Sequence, residues 1–98
     1  MTVEPEDQDT IALAGPVTIY EVVGVRERLA TALAEGRRPR VDLHDAGPWD
    51  LAGLQLLIAL IRSGHEHDVT IRLARVPAVC EEAALRFGLS DWLAGVRE

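Results

Sequence analysis

The sequence contains no lysine, a single cysteine, only 4% aromatic residues and no excess of positive charge. Each shortage closes a class of function. One cysteine, Cys80, allows no intramolecular disulfide, so the expected compartment is the reducing cytoplasm. A net charge of −6 repels phosphate backbones and anionic lipid, so no nucleic acid partner is expected. The longest apolar run, Leu51 to Ile61, is too short to span a bilayer and is interrupted by Gln55, so no direct membrane insertion is expected. The opening MTVEPEDQDT has neither the basic nor the apolar region of a secretory signal. All ten cationic residues are arginine.

What is present is an ordinary globular composition, 48% hydrophobic and 27% charged over 98 residues, enough for one small domain. Residues 1–8 read as a flexible acidic lead-in and residues 9–98 as the domain. DTIAL (Asp9 to Leu13) alternates like a strand. Ala14-Gly15-Pro16 reads as a turn and VTI (Val17 to Ile19) as a second strand closing an antiparallel hairpin. Val22, Val25, Leu29 and Leu33 then recur at helical spacing, and Gly36 ends the helix. VDL (Val41 to Leu43) is a short third strand, HDAGPW a loop, and Asp50 opens an apolar helix that Gly64 stops. VTIRL (Val69 to Leu73) is a fourth strand after a His-rich loop. Pro77 opens a helix with Val79, Ala83 and Phe87 on one face, closed by Gly88, and Ser90 caps a last short helix. The order ββαβαβαα predicts an α/β domain, a mixed sheet of about four strands with helices packed on it.

The stretch PWDLAGLQLLIALIRSG, Pro48 to Gly64, concentrates the functional signal. Asp50 is placed to cap the amides of Ala52 or Gly53, a contact worth about 0.5–2 kcal/mol. Gly53, without a Cβ, permits close backbone approach at the first turn. Leu54, Leu57, Ile58 and Ile61 form the main apolar face, with Leu56 and Leu60 beside it and only Gln55, Ala59 and Arg62 toward solvent. So apolar a helix must be covered by its own domain or by a partner. Trp49 reads as packing under the loop, with a partner contact as the alternative.

VDLHDAGPWDLAGLQLLIAL resembles the central signature of STAS domains, the anti-sigma-factor antagonist family. VTIYEVVGVRERLATAL and VPAVCEEAALRFGLSDWL resemble its first helix and closing segment. The resemblance implies a STAS-like fold and a non-catalytic interaction module of bacterial signalling. In phospho-regulated members a serine at the start of this helix accepts phosphate from a partner kinase. Asp50, Gly53 and Leu54 match the motif, whereas Leu51 and Ala52 stand where hydroxyls would be, with Ala52 at the acceptor position. The expected partner-binding residues are therefore Trp49, Asp50, Leu51, Ala52, Gly53 and Gln55, with no phosphorylation there. The implied partner is a regulatory protein: an anti-sigma kinase-like protein, a chemotaxis signalling protein or a transporter subunit. A homodimer stays open. The alternatives are a sensor of a small ligand, nucleotide or lipid, and the small subunit of a phospholipid-transport complex.

Other chemistry-bearing residues read as structural. His65 and His67, even with Asp68 or Cys80, lack a third ligand at recognisable spacing, so no metal is expected. His44 beside Asp45 reads as a hydrogen-bonded turn residue, and Ser63 and Ser90 as helix-end residues. Cys80 reads as a quiet packing residue. No paired carboxylates, phosphate loop or catalytic triad can be assembled, so no enzyme and no cofactor are expected.

Overall fold

The structure, a computed structural model, describes residues 10–37 and 39–98. The acidic lead-in, residues 1–8, lies outside the described residues, as does Asp9. The elements are β1 (Thr10–Val17), α1 (Val22–Ala34), β2 (Arg40–Trp49), α2 (Leu51–Glu66), β3 (Arg72–Ala74), α3 (Ala78–Arg86) and α4 (Ser90–Val96). Among the described residues the three strands form one sheet in the order β1-β2-β3, parallel throughout. Helices α1 and α2 are the crossovers that parallel neighbours require. α1 packs against α2, and α3 packs against β2 and α4.

Neither the hairpin nor the mixed sheet of about four strands is found. Thr10 to Val17 is one strand, and its Ala14-Gly15-Pro16 segment stays paired to β2. The expected loop HDAGPW is likewise strand: β2 runs for 10 residues beside the 8 of β1. The difference is taken up by two register shifts, between Ala12 and Ala14 and between Gly15 and Val17. Glycine and proline therefore mark bulges here and not reversals. The Gly47–Pro48 peptide within β2 is cis. Of the fourth predicted strand only Arg72 and Leu73 pair, in a strand that runs on to Ala74, although Val69 and Ile71 are buried.

Val41, Asp42 and Leu43 are buried in succession, so this part of β2 is covered on both faces. Leu29, Leu54, Leu57, Ile71 and Leu73 complete the centre of the core. Asp42 is held by Arg75, whose Nη2 donates to Oδ2 at 2.6 Å and whose Nε donates at 3.2 Å, and by the His44 amide at 3.0 Å. Arg75 reaches it from a left-handed backbone, φ 50°. His44 is thus a strand residue with an exposed ring, not a turn residue.

The Arg75 guanidinium, above all, holds the Asp42 carboxyl below its ordinary range, against the opposing effect of burial and with help from the His44 amide. A lowered folded value means that the pair stabilises fully above the unfolded carboxylate range. That stabilisation disappears as pH falls through the folded value. Urea midpoints between pH 6 and pH 3 should therefore fall less steeply for Asp42→Asn than for the wild type. Parallel slopes would show that Asp42 does not couple folding to acid.

The helix ends follow local chemistry. Gly36 and Gly88 close α1 and α3, with Arg37 N–H donating to Ala32 O at 3.1 Å and Leu89 N–H to Ala84 O at 2.7 Å. Gly64, predicted to stop α2, instead lies inside it, because a Cβ there would stand 2.8 Å from both Val69 O and Ile71 Cδ1. The helix ends two residues after Gly64, and Asp68 takes the left-handed position, φ 58°. Its N–H donates to His65 O at 3.1 Å and that of Val69 to Gly64 O at 2.7 Å. In α3 the buried side is Cys80, Ala83 and Ala84, while Val79 and Phe87 are exposed. The buried face is therefore turned from Val79 and Phe87 toward Cys80 and Ala84, which the sequence places beside it. Ser90 is the first residue of α4, preceded by Leu89 with no side-chain cap, so it does not perform the capping expected of it. Ser63 lies in the last turn of α2.

Candidate functional site

Asp50 joins two helix starts. It stands in extended backbone ahead of α2, and its Oδ1 accepts from Gly53 N–H at 3.0 Å. Its Oδ2 accepts at 3.0 Å from Ile19 N–H, in the segment between β1 and α1. One carboxylate thus satisfies a free amide of α2 and fixes the turn that leads into α1. That turn is closed a second time by Thr18 and Glu21: the Glu21 Oε1 accepts from the Thr18 N–H at 2.9 Å and from its hydroxyl at 2.5 Å. Thr-x-x-Glu ahead of an apolar run has the spacing of a capping box, a local signal legible in the sequence.

Gly53 brings the two starts into contact. A Cβ built there would lie 2.1 Å from Val17 O and 3.1 Å from Trp49 Cε3. The first turn of α2 therefore rests directly on the end of β1, with the Trp49 ring alongside. Trp49 is buried, and its indole Nε1 donates to Ala46 O at 3.1 Å. Packing is its role in the fold; it supports the surface from beneath. Gly53 is buried as well and presents no side chain.

The remaining predicted residues reach the surface together. Leu51 is 38% exposed, Ala52 is half-buried and Gln55 is exposed. Ala52 and Gln55 line an open groove between α1 and α2, with Val22, Val23 and Arg26 on its opposite wall and Leu56 and Ala59 also lining it. Next to it, the turn held by Asp50 presents Ile19, 64% exposed, and Tyr20, 89% exposed, followed by Val23 at 65%. Ile19, Tyr20 and Val23 were not among the predicted site residues. Nothing in their periodicity separates them from core residues; only the three-dimensional turn leaves them bare. Leu56 and Leu60 are buried and Ile58 only half-buried, so the face of α2 that meets the domain is wider than the predicted one.

The arrangement offers an apolar surface with a carboxylate at its centre. Both Asp50 oxygens already accept from backbone amides. A phosphate brought to the start of α2 would meet that negative charge and find the Gly53 amide taken. A methyl group stands at position 52, with no oxygen to esterify. Elsewhere, Cys80 is fully buried and burial pushes its thiol up to about 11, which suppresses the reactive thiolate. Among the described residues no three His, Cys, Asp or Glu side chains are grouped as metal ligands, and no helix is long and apolar enough to cross a membrane. His67 instead places Nδ1 2.8 Å from Ser63 O.

A family model described as "Mlab, STAS domain" matches residues 1–96. Among solved structures, the chain is similar to a sulfate transporter family protein from Wolinella succinogenes, with a TM-score of 0.69. That similarity covers 91% of this chain and 74% of the other at 20% sequence identity, and it shows a shared fold. No curated protein matches the chain.

Proposed function

The chain belongs to the STAS domain family, and from that premise we propose that it is a non-catalytic docking module of bacterial regulation whose partner seats on the joined starts of α1 and α2. The family implies a regulatory or transporter-associated module. The finer reading is an antagonist-like protein whose docking surface persists without the hydroxyl that phospho-regulated members use. The observation that carries it is the bare apolar group Ile19, Tyr20, Val23 and Leu51, held in place by the Asp50 carboxylate. Exposed aromatic and aliphatic side chains on a rigid turn have the character of interface anchors, and a few such residues carry most of a binding energy.

A transporter subunit is the more specific version of the partner. The solved structure with which the chain shares its fold is a sulfate transporter family protein, which favours it over a chemotaxis protein. The small-ligand alternative has less support, because the hollow between α1 and α2 is an open groove and Asp50 occupies the anion position.

Shaving the anchors tests the proposal. The double variant Ile19→Ser, Tyr20→Ala should keep the wild-type melting temperature within a few degrees, since both side chains are largely in solvent. It should lose at least about tenfold in affinity for the partner that co-purifies with the wild type, measured by calorimetric titration. Leu85→Ser, on the exposed side of α3 (71%), serves as the control and should bind normally. Equal binding by all three proteins would remove the proposed face.

A further inference from the structure

The groove at the docking face continues along both helices. Two adjoining hollows share Arg26, Leu56 and Ala59, and together they run from Val22 to Leu33 on α1 and from Ala52 to Ser63 on α2. Each stripe advances 11 residues, about 16 Å at the helical rise. The stripes keep helical spacing on both walls, and Ala30, Ala52 and Ala59 keep those walls low. Small residues in such a row let a third helix approach closely, in the geometry of an amphipathic helix laid into a groove.

Arg26 stands midway along this channel. The residues three and four positions from it on α1 are Val22, Val23, Leu29 and Ala30, none of them acidic. It makes no hydrogen bond or ion pair among the described residues. Among the described residues it is the one charged residue that lines either hollow. The Arg26 guanidinium is exposed and has no carboxylate beside it in a lining that is otherwise uncharged. Any occupant that covers it takes a charge out of water, which is unfavourable unless the occupant brings an opposite charge.

We infer that the channel receives a helix of the partner protein whose apolar stripe carries one carboxylate, Asp or Glu, seated against Arg26. This rests on the docking reading above and adds the chemistry of the partner. Arginine suits the role, because its planar fork pairs with a carboxylate through two parallel hydrogen bonds. The extended periodic walls favour a helix over a lipid chain or nucleotide, which would fill a closed pocket.

The test is a displayed library of 14-residue amphipathic helices, panned on the folded wild-type protein and on Arg26→Glu, with the fold of the variant verified by its amide NMR spectrum. The wild type should enrich Asp or Glu at one fixed position within the apolar stripe, and Arg26→Glu should enrich Lys or Arg there. For a selected peptide, changing that Glu to Lys should weaken wild-type binding about tenfold. Selection blind to charge, or no selected helix at all, would overturn the inference. So would a wild-type dimer that Arg26→Glu splits on sedimentation, which would make a second copy the occupant. Binding to phosphatidylglycerol vesicles that the same variant abolishes would overturn it in favour of lipid. If Ile19→Ser, Tyr20→Ala still loses the cellular partner while the library is charge-blind, the docking surface stands and only the carboxylate falls.

Discussion

Gly53→Ala is expected to destabilise the domain by about 3 kcal/mol or more, at the upper end of what overpacking does. In a domain near 100 residues this lowers the melting temperature by on the order of 12–24 °C. The reason is local and rigid. The added carbon would stand 2.1 Å from the Val17 carbonyl oxygen, a backbone atom, and the Trp49 ring blocks escape at 3.1 Å. The only relief is to lift α2 off the end of β1. That movement breaks the hydrogen bond from Ile19 to Asp50, which sets the docking face. Gly24→Ala is the internal control: a Cβ there meets nothing within 4 Å and the residue lies inside α1, so stability should rise by roughly 0.5–1 kcal/mol. Urea unfolding of the two variants separates close approach from backbone entropy. A Gly53→Ala protein within about 0.5 kcal/mol of wild type would mean that the two helix starts are not held in contact.

The second large effect is on binding. Ala52→Glu and Ala52→Arg should each weaken partner binding by about a hundredfold while leaving the urea midpoint nearly unchanged. Ala52 is half-buried at the groove and its side chain is a single methyl. A long charged side chain can extend into solvent in the free protein, so the fold tolerates it. In the complex an arginine there is trapped beside Arg26 on the opposite wall, and a glutamate fills the groove and competes for Arg26; like-charge or unpaired placements are worth several kcal/mol. Testing both signs guards against accidental pairing with a partner charge. Ala52→Ser, which restores a hydroxyl at the position where phospho-regulated relatives carry one, should bind within a few-fold of wild type. Calorimetric titration of the three variants with the co-purified partner measures all of this, and unchanged affinity for both charged variants would place the partner elsewhere.

Much of this surface was legible in the sequence because its main determinants are local. Asp50 three residues before Gly53, at the head of an apolar run, announces a capped helix start, and the structure places that hydrogen bond there. Gly36 and Gly88 likewise mark helix ends through a left-handed residue. The misreadings share a cause. Gly15-Pro16 and Gly47-Pro48 have the composition of turns, yet parallel pairing between strands of unequal length makes them bulged strand. Gly64 has the look of a stop, but the chain needs it for the approach of Val69 and Ile71. Local sequence does not distinguish a glycine that ends an element from one that admits a neighbour. Two long-range contacts carried no local signal at all: Arg75 with Asp42, 33 residues apart, and Ile19 with Asp50, 31 residues apart. The second of these leaves Ile19 and Tyr20 bare, so the anchors emerge only in three dimensions. Thr18 and Glu21 are the opposite case, a legible local motif whose consequence for the site depended on that distant contact.

The most direct measurement is site-specific photo-crosslinking in living cells, with a photoreactive residue placed singly at positions 20, 52, 55 and 85. Crosslinking from 20, 52 and 55 to one and the same protein, with none from 85, is the expected result. Crosslinks that arise only from 85, or from no position on the joined helix starts, would contradict a docking face there.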